Sequence, residues 1–426
     1  MTAIRGQIAG SLPGTESRAR WASLLVFASF FPYPAVVTLG NSWGIQAAQL
    51  VIIILVALRY REISATRSVH AYLWLALPMF GSLAVVSIAS QTRDPDLGVR
   101  AFLTFGVTLL ALPVFGSIFQ GRDRDWFVRP VALVMVVNLG VAVYQAIQFR
   151  SGTFPFLWYF QNPSFADLNQ IAGDYARYVG RPMGIFPEPS AMAAAIGPWG
   201  VMLLGRAVAR DGKHTTACWI GAVCAASAVS LSASVYAAVM VLLYAVVLLR
   251  SRLRGVAVAG MVLAATGVAW GWLASPDLAR LDIDVNTSMA TRYRALEAAV
   301  QLPFESVGRA LFGYGPGSGV AVVRDFNPYL GGVYSLLGTW WLEGGLGVAA
   351  GVAAVISMAW RRASTRYVKT ALVAWIVSIG AATGYQSLLP LWLFLALVLD
   401  GAVSGGCGER GGELSNSTCP DLTATR

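Results

Sequence analysis

Long apolar stretches separated by short polar ones run through nearly the whole chain, and they determine the first prediction about its fold. Twelve stretches carry few charges, and most approach or reach the roughly 17–25 residues that a helix needs to cross a membrane. They cover residues 21–39, 43–58, 72–90, 99–119, 129–149, 189–204, 216–231, 235–249, 256–274, 334–358, 370–383 and 388–403. Because lipid offers the backbone no hydrogen-bond partners, each is predicted to be a helix. The pattern predicts an all-α polytopic membrane protein with about 12 transmembrane helices in one domain, residues 1–403.

The composition agrees with a membrane protein and excludes an ordinary soluble domain. Hydrophobic residues make up 56% of the 426 positions and charged residues 12%, with a mean hydropathy of +0.62. Soluble domains usually carry about a quarter charged residues. The net charge of +10 is spread over short loops rather than gathered in a compact basic domain, so nucleic acid is not an expected partner.

The lysines and arginines predict the orientation of the chain, since cytoplasmic loops are enriched in both. With the N-terminus inside, 21 of the 31 basic residues fall in inside loops or tails. Both termini are then cytoplasmic, and the protein is expected in the cytoplasmic (inner) membrane. The polar residues 404–426 are predicted to be a disordered cytoplasmic tail.

Two connections on the outer side are much longer than the others, at about residues 150–189 and 275–333. Loops of this length in a compact protein are usually functional. In the first loop, apolar residues recur at helical spacing over residues 166–179. This spacing predicts a short helix that lies on the outer membrane surface.

The second loop is predicted to contain its own surface helix, over residues 289–302. Leu296, Ala299 and Val300 fall on one face of that helix and are expected to be its apolar side. The helix is expected to end before Pro303, because proline cannot continue a helix from within.

Arginines in these two loops contradict the charge rule and are candidates for a functional role. The candidates are Arg177, Arg181, Arg292 and Arg294. A guanidinium group binds phosphate in a planar, bidentate way and does not deprotonate. They indicate a phosphorylated or anionic ligand at the outer surface. The alternative is that they are solvated loop charges or pair with nearby carboxylates.

Residues 180–190 (GRPMGIFPEPS) hold three prolines and two glycines directly before a predicted span. Prolines at this place fix the backbone where a helix must begin. Glu188 would lie at the start of that helix, near the positive end of its dipole. Two interpretations stay open for Glu188: it caps the helix, or it is a general base whose pKa is raised by partial burial.

Residues 313–319 (GYGPGSG) form a glycine-rich stretch in the second loop. No predicted strand precedes it and no lysine follows it, which disfavours a nucleotide-binding loop and favours a flexible turn beside a substrate path.

Glu343 is a charged residue within the predicted span 334–358, where a buried charge costs about 2.5–3.5 kcal/mol. It is either a site residue or a neutral, hydrogen-bonded carboxyl group.

Metal chemistry has little support in the sequence. The two histidines, His70 and His214, both fall in predicted inside loops. No cluster of Asp, Glu and His has the spacing of metal ligands. We therefore expect neither a metal nor a cofactor.

Several of these motifs together resemble the O-antigen polymerase/ligase superfamily, which comprises Wzy-type polysaccharide polymerases and O-antigen ligases. Residues 180–191 resemble its arginine-containing run before a mid-chain helix, and residues 291–319 resemble its arginine-led helix followed by a Gly-Tyr-Gly turn. Residues 327–330 (NPYL), followed by residues 342–347, resemble its closing motif. The resemblance implies a GT-C-like fold. It adds these candidate site residues: Tyr314, Asn327, Tyr329 and Glu343.

The resemblance implies a sugar donor that is carried on a polyprenyl diphosphate. An acceptor hydroxyl would attack the anomeric carbon and the lipid diphosphate would leave, with no need for a nucleotide or a metal. Arg181 and Arg292 would grip the diphosphate and stabilise the charge of the leaving group. The first choice for the base that takes the acceptor proton is Glu188, and the second is Asp325.

The leading prediction is a polysaccharide polymerase that joins lipid-linked repeat units at the outer membrane face. In the family's ligases a histidine precedes the asparagine that matches Asn327, but Phe326 stands here. That departure weakens the alternative of a ligase. The alternative from another class, a flippase for lipid-linked sugars, is disfavoured by the scarcity of charges within the spans. Expected partners are the lipid-linked oligosaccharide and the lipid bilayer, with a chain-length regulator and a flippase as candidates.

Overall fold

The fold is taken from a computed structural model of the chain. The structure describes residues 15–31, 35–39, 43–88, 95–119, 125–156, 180–232, 235–249, 255, 288–328, 330, 332–382 and 388–400. Helices dominate the described ranges. They are α1 (Thr15–Ser29), α2 (Ala47–Ser64), α3 (Ser68–Ile88), α4 (Pro95–Leu109), α5 (Ala111–Phe119), α6 (Val128–Phe149), α7 (Pro189–Ala209), α8 (Thr215–Leu231), α9 (Val235–Leu249), α10 (Ser288–Gln301), α11 (Val307–Phe312), α12 (Gly319–Phe326), α13 (Leu336–Arg362), α14 (Arg366–Val377) and α15 (Leu389–Asp400). A 3₁₀ turn, Leu302–Glu305, follows α10, and a π-helical turn, Ser378–Ala382, follows α14.

Five helical stretches in the described ranges are long and apolar enough to cross a membrane, which supports the prediction of a membrane protein. They are Ser68–Ile88, Gly98–Phe119, Val128–Phe149, Pro189–Ala209 and Leu336–Arg362. Each coincides with one of the predicted spans. Three further predicted spans coincide with shorter apolar helices, Thr215–Leu231, Val239–Leu249 and Leu389–Asp400. The predicted span at residues 256–274 and the predicted tail at 404–426 lie outside the described residues.

The prediction for the first two spans is wrong in detail. Instead of continuing to residue 39, α1 ends at Ser29, and an antiparallel hairpin of β1 (Ala35–Leu39) and β2 (Trp43–Gln46) precedes α2. The sequence explains the change, because two prolines follow α1 and the β1 segment AVVTL is rich in β-branched residues. Hydropathy alone does not distinguish such a strand from a helix.

The centre of the bundle is formed by α7 and α15, whose residues are buried nearly all around. Trp340 of α13 stacks on Trp392 of α15, with ring centroids 5.5 Å apart. Trp199 of α7 donates from its indole nitrogen to the carbonyl of Pro390 at 3.0 Å. Helices that are apolar on every face are expected in such central positions.

Polar contacts hold one end of the bundle together. At the end of α15, the Asp400 carboxylate accepts hydrogen bonds from the backbone nitrogens of Arg67 (2.7 Å) and Ser68 (2.9 Å), at the start of α3. Gly116 of α5 packs directly against the same carboxylate, so a Cβ there would lie 2.5 Å from it. Asp400 therefore joins the ends of three helices.

A buried ion pair lies at this same end. Arg206, in the last turn of α7, pairs with Asp125, which precedes α6. The Arg206 guanidinium also lies 5.5 Å from the ring centre of Phe127, and that ring packs against Phe119 of α5, one turn after Gly116. We refer to this side of the molecule as the Arg206 end. Breaking a buried pair of this kind usually costs about 3–5 kcal/mol.

The opposite side, which we call the loop end, is reached by following α3 and α6. At about 1.5 Å per residue, α3 rises about 21 Å from Ser68 to Ser82. The Ser82 hydroxyl there contacts the carbonyls of Phe312 (2.5 Å) and Glu343 (2.7 Å). Along α6, Gln145 lies about 26 Å from the first residue of that helix. The contacts of Ser82 and Gln145 therefore define a single end of the bundle, remote from Arg206.

Candidate functional site

The segment 180–188, which we call the proline-glycine segment, is held by two buried amide side chains of α6. Gln145 accepts from the backbone nitrogens of Met183 (3.0 Å) and Gly184 (2.8 Å) and donates to the Gly184 carbonyl at 3.0 Å. Asn138 accepts from the nitrogen of Ile185 at 3.1 Å. Because the two amides are seven residues apart, they lie on the same face of α6. Irregular backbone next to a span is thereby satisfied inside the protein, as a membrane requires.

Glycine at position 184 is required by this arrangement. Gly184 has a φ of +59°, a region that residues with a side chain rarely occupy. A Cβ at this position would also lie 2.1 Å from Oδ1 of Asn138. The amides were missed by the sequence reasoning. The available signal was a pair of amides at helical spacing on an otherwise apolar face.

The two charged residues of the proline-glycine segment lie at its accessible ends. Residues 182–187 are buried, whereas Arg181 and Glu188 are partly exposed. Glu188 stands at the N-cap position of α7 and Pro189 at the first helical position, as predicted, but the Glu188 side chain makes no capping hydrogen bond. Instead, it accepts from the hydroxyl of Ser190. The Glu188 side chain therefore does not cap the helix, which was the first of the two interpretations.

Removing the Gln145 amide is expected to destabilise the proline-glycine segment. Gln145→Met keeps the size of the side chain but leaves the nitrogens of Met183 and Gly184 buried without an acceptor. Each buried unsatisfied group costs about 1–3 kcal/mol, so we expect a clearly lower unfolding temperature in detergent and faster proteolysis near residue 180. Gln148→Met on the same helix is the control, since the described contact of the Gln148 side chain is to the nearby, exposed Thr153. Equal behaviour of the two variants would contradict this account.

The described part of the second long loop folds into a small unit of its own, which we call the loop subdomain (α10 to α12 and the residues up to Val333). The helix predicted at residues 289–302 is confirmed as α10, and it ends before Pro303. A separate apolar cluster joins the helices of the loop subdomain to Leu342 of α13. Its members are Ala295, Ala298, Ala299, Leu302, Val322, Val323, Leu330, Val333 and Leu342.

Of the predicted apolar face of α10, only Ala299 belongs to the buried cluster of the loop subdomain. Leu296 and Val300 are 50% and 52% exposed, whereas Ala295, Ala298 and Ala299 are buried. The small alanine side chains let α10 approach its neighbours closely, as small residues do in membrane-protein packing. The contact of α10 with its neighbours is thus made by alanines rather than by its larger apolar residues.

Arginines of the loop subdomain lie against tyrosine rings. The Arg292 guanidinium lies 5.3 Å from the ring centre of Tyr334, and that of Arg309 lies 4.2 Å from the ring centre of Tyr314. Such stacking leaves the edge of a guanidinium able to donate hydrogen bonds. Arg292 and Arg294 are both partly exposed on α10. The structure thus positions Arg292 against Tyr334 without burying it.

Tyr314 has a structural role in the described contacts. Its hydroxyl donates to the Glu305 carboxylate at 2.5 Å and lies 3.1 Å from the carbonyl of Leu302. Burial, together with the hydrogen bond and the charge of Glu305, raises the pKa of Tyr314 to about 12. The hydroxyl therefore stays protonated near neutral pH and connects the 3₁₀ turn to the residues after α11.

The glycine turn (residues 313–319) is docked on a bend in α13. The bend lies at Gly345, whose φ is +59°. The nitrogen of Tyr314 donates to the carbonyl of Leu342 at 2.9 Å, and that of Gly315 donates to the carbonyl of Glu343 at 2.9 Å. A Cβ at Gly313 would lie 2.4 Å from the Glu343 backbone carbon, so only glycine permits this approach.

The structure assigns Glu343 to the hydrogen-bonded alternative. Its carboxylate is buried and accepts from the backbone nitrogen of Gly319 at 3.1 Å, at the start of α12, and also from that of Gly317. A carboxylate is favoured at the start of a helix. Glu343 therefore holds the glycine turn and α12 against α13 and has no described contact to open solvent.

The remaining predicted site residues are less informative. Asp325 is exposed on α12, and Asn327 follows as its C-cap, with its carbonyl accepting from the nitrogen of Leu330 at 3.0 Å. Arg177 and Tyr329 lie outside the described residues, as does the surface helix predicted at residues 166–179. Within the described ranges, no three His, Cys, Asp or Glu side chains are grouped as metal ligands.

The proline-glycine segment, which carries Arg181, and the loop subdomain, which carries Arg292, both lie at the loop end of the bundle. Gln145 of α6 binds the proline-glycine segment, and Ser82 of α3 contacts the carbonyls of Phe312, in the loop subdomain, and of Glu343. Different helices hold the proline-glycine segment and the loop subdomain. Arg181 and Arg292 therefore lie at the same end of the bundle, on parts of the chain that are held separately. In comparisons with known proteins, no model of a protein family and no curated protein matches this chain.

Proposed function

We propose that the chain is a polysaccharide polymerase that joins polyprenyl-diphosphate-linked repeat units at the outer face of the cytoplasmic membrane. In this proposal it has about twelve spans, cytoplasmic termini and a GT-C-like arrangement, with the loop end outside. The observation that carries the proposal is the placement of Arg181 and Arg292 at one end of the bundle, opposite to Arg206. A lipid-linked diphosphate lies at the membrane surface, where both arginines could reach it.

The chemistry needs a cation for the leaving group and a base for the acceptor. The acceptor oxygen forms a bond to the anomeric carbon while the bond from that carbon to the diphosphate oxygen breaks. Arg181, Arg292 and Arg294 bind the departing diphosphate through charge-assisted hydrogen bonds. Glu188 receives the acceptor proton, since it lies at the accessible end of the segment that carries Arg181. Asp325 is the second candidate for that proton.

Buried polar side chains of the spans support an enzyme rather than a flippase. Gln145 is committed to the backbone of the proline-glycine segment, and the Arg206–Asp125 pair is enclosed at the other end. Glu343 is committed to the glycine turn. Transport through the bundle would need polar groups along a path. These groups instead hold the protein's own elements.

The test uses the purified chain with a lipid-diphosphate oligosaccharide, with and without chelator, and measures glycan length. We expect a ladder of lengths that chelator does not abolish. A single transfer to another acceptor would favour a ligase and overturn the polymerase. Lipid scrambling without any product would overturn the enzyme altogether.

A further inference from the structure

A cavity of about 340 Å³ lies between α9, the end of α13 and the start of α14. It is far from the proline-glycine segment, since neighbouring Tyr367 of α14 bonds to Asp211 at the Arg206 end (2.5 Å). The volume falls in the range of small-ligand pockets. Its lining residues are Leu243, Val246, Trp360, Arg366, Lys369, Thr370 and Val373.

The lining separates into an apolar wall and a cationic rim. Leu243 and Val246 of α9 and Val373 of α14 line the cavity with apolar side chains. Arg366 and Lys369 stand one turn apart at the start of α14, and the Lys369 ammonium lies 5.5 Å from the ring centre of Trp360. Tryptophan of this kind is typical of the membrane–water interface. An occupant must therefore be apolar at one side and anionic at the other.

We propose that this cavity binds a phospholipid with an anionic headgroup. The lipid phosphate lies between Arg366 and Lys369, and an acyl chain follows Leu243 and Val246. With the loop end outside, the cavity opens to the cytoplasmic leaflet, where basic pockets between helices attract anionic lipids. A soluble anion would satisfy the rim but leave the apolar wall exposed. Charge and polarity thus select a lipid.

The test measures lipid binding to the full chain in detergent by native mass spectrometry, with phosphatidylglycerol and phosphatidylcholine titrated separately. We expect the first phosphatidylglycerol to bind more tightly than phosphatidylcholine. Arg366→Gln with Lys369→Gln is expected to weaken the first phosphatidylglycerol by about tenfold and to change phosphatidylcholine little. The matched control is Arg361→Gln with Arg362→Gln, which removes the same charge from exposed positions outside the cavity.

Two further experiments test the apolar wall and the nature of the anion. Val246→Trp fills the apolar wall without a change of charge and should also weaken phosphatidylglycerol, as a specific site requires. Inorganic phosphate should not compete; competition would assign the cavity to a soluble anion and overturn the proposal. Equal loss of phosphatidylglycerol affinity in the Arg366/Lys369 and Arg361/Arg362 variants, or no preference of the unchanged protein for phosphatidylglycerol, would overturn it too. Phosphate competition and lipid preference are both measured on the unchanged protein, so they test the proposal even where a variant fails to fold.

Discussion

Arg181→Ala is expected to abolish glycan chain growth while leaving the amount of protein in the membrane unchanged. Arg181 lies at the accessible end of a segment whose next six residues are buried. Its guanidinium is therefore carried on a rigid support, which is the condition for stabilising charge that develops on a leaving group. Loss of one such donor typically costs about 10²–10³ in rate. The measurement is the rate of ladder formation with the purified variant.

Two companion variants sharpen this result. Arg150→Ala removes an exposed arginine at the end of α6 and should keep nearly full activity. Arg181→Lys keeps the charge but loses the bidentate geometry, so an intermediate rate is expected. Full activity of Arg181→Ala at normal protein levels would remove Arg181 from the diphosphate site.

Gly345→Val is expected to detach the loop subdomain and to abolish activity. At a φ of +59°, a valine is strained, and its Cβ would lie 2.7 Å from the Ala310 carbonyl oxygen and from the Gly313 nitrogen. Strain of this kind costs about 1–3 kcal/mol before the clash is counted. Without the bend, the glycine turn loses its acceptors on α13. We expect rapid proteolysis within the loop subdomain and a lower unfolding temperature.

The control for this variant lies in the same helix. A Cβ at Gly347 meets only ordinary contacts, the nearest being Pro78 at 3.4 Å. Gly347→Ala should therefore leave stability and proteolysis close to those of the unchanged protein. If Gly345→Val were also silent, the glycine turn would not depend on the bend, and the docking described above would not hold in solution.

Apolar length was sufficient to predict the long helices. The helices α3, α6, α7 and α13 begin and end within a few residues of the predicted limits, because an uninterrupted apolar run of that length has few other solutions in lipid. The helix predicted at residues 21–39 was wrong in its second half. Hydropathy does not register the β-branched residues and prolines that favour a hairpin there.

The candidate site was only partly predictable. The prolines of residues 180–190 gave the start of α7, because proline acts locally on the backbone. The role of Gln145 depends on a segment about forty residues later in the chain, and that of Glu343 on the nitrogen of Gly319. Tertiary packing determines these hydrogen-bond partners, and the local sequence pattern does not reveal them. The buried alanine stripe of α10 was hidden in the same way.

The most direct test of the central claim is whether Arg181 and Arg292 bind one diphosphate together. Affinity for a sugar-free polyprenyl diphosphate would be measured for the purified chain, for each arginine changed to alanine, and for the double variant. Each single variant should weaken binding by about tenfold or more, as expected for hydrogen bonds to a charged group. The double variant should lose less than the product of the two, because the contacts share a ligand. Binding as strong as that of Arg150→Ala in all three variants would contradict the account.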